Sequence, residues 1–176
     1  MNEMNVVIVG LYTYFNVPVR ILHPLADRID GVKAHTIFYK NYDSNLFSLP
    51  TEKEEKLFLD NIIKINPKIV AISLLSPYVL IAKRITELVK KHTGAVVVWG
   101  GVGPTITPEE HIKMTDVICI GEGERAFEEL ILAVRDGKDY SNIKNLWVNK
   151  DNNVIKNPQG PLIQELDTLP FAVYGK

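Results

Sequence analysis

Ala95-Val96-Val97-Val98-Trp99-Gly100-Gly101-Val102-Gly103-Pro104-Thr105 passes from an unbroken apolar run into three glycines within four positions. A short β-branched run without alternation is what a strand covered on both faces looks like, and such strands belong to parallel sheets. Glycines crowded directly after it mean that the backbone turns sharply there or approaches something too closely for a Cβ. Two readings remain open for the cluster, a ligand wall and a tight strand-to-helix turn.

Outward from this stretch the same grammar repeats. Asn5–Gly10, Lys33–Tyr39, Ile69–Leu75, Ala95–Gly100 and Asp116–Ile120 read as strands. Val17–Ile29, Thr51–Ile65, Tyr78–Lys91, Pro108–Met114 and Glu124–Asp136 carry apolar residues at three- and four-residue spacing and read as helices. Strand and helix in alternation predict an α/β fold: a doubly wound, Rossmann- or flavodoxin-like, five-stranded parallel sheet with helices on both faces. Thr51 with Glu54 forms a capping box, and Thr107-Pro108-Glu109-Glu110 places a cap, a first-turn proline and two acids at a helix start. Residues 1–140 are expected to form this domain. The segments Asn145–Asn149 and Val154–Lys156, joined by Lys150-Asp151-Asn152-Asn153, predict a C-terminal β-hairpin within 141–157. Residues 158–176, with Pro158, Gly160, Pro161, Pro170 and Gly175, read as a linker, and the ending Tyr174-Gly175-Lys176 reads as a cut at a domain boundary.

Composition narrows the chemistry. The chain has 176 residues, 46% of them hydrophobic, with 20 basic against 21 acidic side chains and a formal charge of −1. That balance attracts neither nucleic acid nor an anionic membrane. Cys119, within Val117-Ile118-Cys119-Ile120, is the single cysteine, so no disulfide framework or multi-thiolate metal site can form within the chain, and a small buried hydrophobe is its expected role. The N-terminus lacks a basic leader and no apolar run is long enough for a bilayer, which predicts a cytoplasmic protein.

In open α/β sheets ligands bind beyond the carboxyl ends of the strands, and this selects four loops. Leu11–Asn16 offers Tyr12, Tyr14 and Asn16. Ser73-Leu74-Leu75-Ser76 offers two hydroxyls, of which Ser76 is well placed to cap the next helix while Ser73 has less reason to be polar. The glycine stretch offers Gly100, Gly101, Val102, Pro104 and Thr105. The fourth, Gly121-Glu122-Gly123-Glu124-Arg125-Ala126, matches the dinucleotide pattern G-x-G-x-x-A at a helix start. It follows the last strand rather than the first, however, and Glu122 and Glu124 would repel a pyrophosphate. His23, His35, His92 and His111 are scattered, and neither a metal ligand set nor a nucleophile elbow, P-loop or carboxylate pair is legible. The sequence reads as one that holds something rather than cuts something.

Taken in order, Ser73-Leu74-Leu75-Ser76, Gly100-Gly101-x-x-Pro104-Thr105, Pro108-Glu109-Glu110, Asp116 and Gly121-Glu122-Gly123-Glu124 resemble the N-terminal cobalamin-binding domain of radical S-adenosylmethionine (radical SAM) proteins. The resemblance covers about the first 136 residues, and Leu166-Asp167-x-Leu169-Pro170-Phe171 is similar to the linker before the radical domain in that family. It implies that the cofactor is cobalamin, that Ser73 and its loop line the pocket for the dimethylbenzimidazole tail, that Gly100 and Gly101 let the ring approach the backbone, and that Gly121 to Glu124 border the nucleotide end. The first loop, Leu11–Asn16, would then lie under the corrin. Because that loop lacks the Asp-x-His-x-x-Gly motif of related cobalamin domains, the resemblance implies base-off cobalamin with no histidine on cobalt. The Cys-x-x-x-Cys-x-x-Cys set for a 4Fe-4S cluster is absent, so the cluster and S-adenosylmethionine are expected only in a downstream domain, and catalysis by methyl transfer or radical rearrangement only in the longer protein. Competing expectations are a nucleotide- or NAD-dependent oxidoreductase using Gly121–Ala126, and a flavodoxin-like module that has lost its cofactor.

Overall fold

The structure, a computed structural model, describes residues 3–41 and 48–174. Met1, Asn2, Gly175 and Lys176, on which the readings of the two chain ends partly rest, lie outside the described residues. Among the described residues seven strands form one sheet: β1 (Met4–Tyr12), β2 (Val32–Asn41), β3 (Ile69–Ser73), β4 (Val96–Gly100), β5 (Val117–Cys119), β6 (Leu146–Lys150) and β7 (Asn153–Lys156). Their order is β2-β1-β3-β4-β5-β6-β7. The first five are parallel, and β6 and β7 close the edge antiparallel. This is the flavodoxin-like order, whose topological switch lies between β1 and β3. The hairpin belongs to the main sheet because Val117, Ile118 and Cys119 pair with Val148, Trp147 and Leu146. Its two-residue turn, Asp151-Asn152, has both residues at positive φ (51° and 68°), the twist that a tight hairpin requires.

Among the described residues six α-helices cover the sheet: α1 (Val17–Asp27), α2 (Glu52–Ile65), α3 (Val79–His92), α4 (Val102–Ile106), α5 (Pro108–His111) and α6 (Glu124–Arg135). The capping box at α2 forms, with Thr51 Oγ1 accepting from Glu54 N and the Glu54 carboxylate accepting from Thr51 N at 2.7 Å. Two differences from the sequence reading concern helix α4 and the third strand. The glycine loop folds into the short helix α4 as soon as Gly101 has made the turn, and β3 ends at Ser73, with Leu74 N making a last bond to Gly100 O of β4 at 2.8 Å before Leu74 O turns to the Gly103 N–H.

Strand alternation sorts the core into two clusters. One face carries Ile8, Ala71, Val98, Val117 and Cys119 under α1 and α6; the other carries Val9, Ile72, Trp99 and Ile118 under α2 and α3. Burying this many aliphatic side chains, at about 25 cal/mol per Å² of apolar area, is the main stabilising term. No helix among the described residues is long and apolar enough to cross a membrane.

Residues 158–174 carry little regular structure beyond a 3₁₀ turn at Leu166–Thr168, yet they are tied down along their length. Ile163 N donates to Glu122 Oε2 at 2.7 Å, Arg28 donates to Thr168 O at 3.2 Å, Leu169 packs on the α1/α6 core, and Val173 N donates to Arg20 O at 3.1 Å.

Candidate functional site

On the α1/α6 face the register stacks two rows across the strands. Ile8, Ala71, Val98 and Val117 stand side by side, and one step toward the carboxyl ends stand Gly10, Ser73 and Gly100, with Cys119 beside them. The first row is branched or bulky except for Ala71; the second consists of small residues. A row of small residues at the strand ends leaves room that larger side chains would take. Gly10 does not contribute to it, since a Cβ there would meet Phe38 at 3.0 Å. Over Ser73, Gly100 and Cys119 the space remains open and forms a cavity of about 300 Å³, the lower end of the usual range for small-molecule sites.

Ile8, Ala71 and Val98 make the floor, Pro18 and Leu22 of α1 one side, and Phe127 and Leu130 of α6 the other. Leu146 closes the β6 end, and Gly121, Glu122, Gly123 and Glu124 form the rim. Trp99, adjacent in sequence to the opening, is directed away from it: it is fully buried on the opposite face and its Nε1 donates to Thr86 Oγ1 at 2.9 Å. Tyr78 is likewise elsewhere, stacked on Tyr12 with ring centroids 4.7 Å apart. Neither residue plugs the slot.

The glycines divide between the two open readings. At Gly100 a Cβ would meet only Cys119 Cβ, at 3.8 Å, so backbone packing does not require glycine there, and its missing side chain is cavity. Gly101 has φ +103° and its Cβ would sit 2.9 Å from Leu74 O, so its glycine serves the turn, although its backbone also lines the cavity. The chain then wraps around fully buried Leu74, and Gly103 N donates to Leu74 O at 3.2 Å.

Of the residues singled out from sequence, Ser73, Gly100, Gly101, Gly121, Glu122, Gly123 and Glu124 meet at this cavity. The others do not line it. Tyr12 is buried on the opposite face, where its hydroxyl donates to Ser48 O at 2.8 Å, because the β1 register shifts between Leu11 and Tyr12 and Tyr12 takes φ +59°, breaking the alternation that would have set it on the face of Ile8 and Gly10. Burial, with the Glu54 charge second, pushes its phenol up to about 12. Tyr14 is half-exposed against Phe15, and Leu75 and Val102 are exposed. Ser76 opens a 3₁₀ turn without a side-chain cap, and Pro104 is buried in α4. Asn16 and Thr105 act one step back. Asn16 Oδ1 caps α1 through Val19 N, and its Nδ2 donates to Ser73 Oγ at 3.1 Å. Thr105 Oγ1 donates to Gly101 O at 2.8 Å and accepts from Gly121 N at 3.1 Å, joining the fourth- and fifth-strand loops.

Sequence reasoning passed over the apolar walls, since an isoleucine or valine lining a cavity has the same pattern as one in a closed core. It also passed over Asn145, at φ 68°, whose Nδ2 donates to Ile120 O and Glu122 O while its Oδ1 accepts from Gly160 N. Cys119 forms part of the wall, and burial, with the Glu124 charge second, pushes its thiol up to about 12, so it stands there as a neutral, weakly polar group. Among the described residues no cluster of three or more His, Cys, Asp or Glu side chains could hold a metal.

The B12 binding domain family matches residues 33–131, more than half of the chain. The chain belongs to the B12 binding domain family. This B12-binding chain is 33% identical over 117 residues to "Uncharacterized methyltransferase PH0819" of Pyrococcus horikoshii, covering 63% of this chain and 25% of that protein. It is also 33% identical over 78 residues to the anaerobic magnesium-protoporphyrin IX monomethyl ester cyclase of Synechocystis sp., covering 41% and 15%. The B12-binding chain thus spans a quarter or less of these curated relatives. Its fold matches that of the cobalamin-dependent S-adenosylmethionine radical enzyme OxsB with aqua-cobalamin and S-adenosylmethionine bound, at TM-score 0.73 and 16% identity over 91% of this chain and 23% of that one. It also matches radical S-adenosylmethionine methyltransferase TsrM from Kitasatospora setae with cobalamin and a [4Fe-4S] cluster bound, at TM-score 0.68 and 17% identity over 96% and 31%. The resemblance drawn from the ordered motifs and the family match therefore agree.

Proposed function

We propose that this chain is the cobalamin-holding module of a longer radical SAM protein, with the nucleotide tail of the cofactor in the cavity under α1 and α6 and the corrin outside its rim. The observation that carries this reading is the opening at Gly100, a missing side chain that the turn does not need, set at the strand ends beside the switch between β1 and β3. Gly100 and Cys119 would face the flat ring, Ser73 would sit beside it, and Gly121 to Glu124 would border the tail where it leaves. The cofactor would supply an alkyl-carrying cobalt centre for methyl transfer or radical rearrangement by the full-length protein, whose cluster and S-adenosylmethionine would be held by another domain.

The base would be displaced from cobalt, with no histidine taking its place. In support, Leu11–Asn16, the loop expected under the corrin, holds no histidine, and each of the four histidines has a partner elsewhere. His23 pairs with Thr36 Oγ1, His35 with Asn5 Oδ1, His92 with Leu88 O and His111 with Thr107.

The test is reconstitution with hydroxocobalamin, removal of free corrinoid and a visible spectrum. A retained corrinoid with a base-off spectrum, unchanged in the His23→Ala variant, is expected. Failure to retain corrinoid overturns the assignment, and a base-on spectrum overturns the placement of the tail.

A further inference from the structure

If the cavity receives the tail, as proposed above, its walls also decide which tails it accepts. The floor, Ile8, Ala71 and Val98, is aliphatic and at most 6% exposed, and Leu130 and Leu146 enclose it. Among the lining residues only Ser73, Glu122 and Glu124 carry a side-chain nitrogen or oxygen, and all three belong to the rim at the strand ends. Two of them are already engaged. Ser73 Oγ lies 3.1 Å from Asn16 Nδ2 and 3.3 Å from Asn16 Oδ1, and Glu122 Oε2 accepts from Ile163 N at 2.7 Å. A group inserted past Ser73 therefore meets carbon and the thiol of Cys119, with no side-chain donor or acceptor to satisfy its own.

Cobamides differ in the base at the end of their nucleotide. A benzimidazole or phenol base presents a hydrocarbon outer edge. An adenine base of nearly the same bicyclic outline presents an exocyclic amine and ring nitrogens, each of which is hydrogen-bonded in water. Buried polar groups left without partners cost the whole of their lost hydration.

We propose that this cavity selects cobamides by their lower base, accepting benzenoid bases and disfavouring purines. An apolar pocket rejects a polar isostere by roughly tenfold to a hundredfold, because it has no group of its own left unpaired. That range is the effect to be read.

The test is equilibrium dialysis of the cofactor-free chain against four probes: cobalamin, p-cresolyl cobamide, adeninyl cobamide and cobinamide, which has no nucleotide base. Retained corrinoid is read from its visible absorption. The p-cresolyl and adeninyl forms make the decisive pair, because cobalt holds neither base strongly and the comparison reports the pocket alone. Tighter binding of the p-cresolyl form by about tenfold to a hundredfold is expected, with cobinamide weaker than the p-cresolyl form. Equal affinity for the p-cresolyl and adeninyl forms, both above cobinamide, overturns the selection while leaving the tail in the cavity. Cobinamide binding as tightly as cobalamin and p-cresolyl cobamide overturns the placement of the tail itself.

Discussion

The carbonyl of Arg20, in the middle of α1, accepts its hydrogen bond from Val173 N, 153 residues along the chain, at 3.1 Å. Pro24 explains this. It stands four residues after Arg20 inside the helix and has no N–H to give, so the Arg20 oxygen is left for another donor. The Arg20 side chain reinforces the contact, donating to Val173 O at 2.9 Å and lying 4.5 Å from the Tyr174 ring centroid. Pro24→Ala restores the helical donor and competes with Val173. The expected outcome is a more stable domain whose end is cut several-fold faster by chymotrypsin at exposed Phe171 or Tyr174. Unchanged cleavage in both Pro24→Ala and Arg20→Ala would show that other contacts hold the segment.

Asn16 links the two strands that flank the topological switch, capping α1 with Oδ1 and reaching Ser73 at the end of β3 with Nδ2. Asn16→Asp keeps the cap and loses the amide donor; Asn16→Ala loses both. A loss of about 1 kcal/mol in urea unfolding is expected for alanine, and less for aspartate. Equal losses would show that the bond to Ser73 dominates.

Gly100 and Gly101 are adjacent, yet their substitutions are expected to fail differently. Gly100→Leu fills the cavity, so corrinoid retention is lost while the melting temperature stays near that of the parent. Gly101→Ala places a Cβ 2.9 Å from Leu74 O at φ +103°, and a destabilisation of about 1 kcal/mol or more is expected from thermal or urea unfolding. A Gly101→Ala protein as stable as the parent would refute this account of the turn.

The Cys119 thiol, raised by burial from an ordinary 9.0 to about 12, is expected to ignore Ellman's reagent at pH 8 until the chain unfolds, then to titrate as one thiol per chain. The same shift fixes a pH dependence. The unfolded thiol gives up its proton near 9 and the folded one near 12, so its contribution to stability is whole below pH 9 and is lost as pH rises toward 12. Urea midpoints for the parent and Cys119→Ala between pH 8 and pH 11 measure it: the gap between the two should close as pH rises. Native-state labelling at pH 8 would contradict the burial.

Alternating strand and helix patterns, the Thr51/Glu54 capping box, the hairpin turn at Asp151-Asn152 and the crowded glycines were all legible in the sequence, because each depends on neighbours within a few positions. So was the rim at Gly121 to Glu124, since strand ends in a parallel sheet announce where a ligand can sit. Tertiary structure decided the rest. The order β2-β1-β3-β4-β5 brings Ser73 beside Gly100, and pairing across strands sets Gly100 next to Cys119, relations between residues far apart in the chain. Period-two alternation shows which residues share a face only while the ladder is regular: the shift between Leu11 and Tyr12, with Tyr12 at φ +59°, turns that ring toward α2 and α3, and Leu22, Phe127 and Leu130 became the walls of the site. The physical reason is range: backbone propensity and capping act locally, whereas a cavity is the space that distant elements fail to fill when they pack.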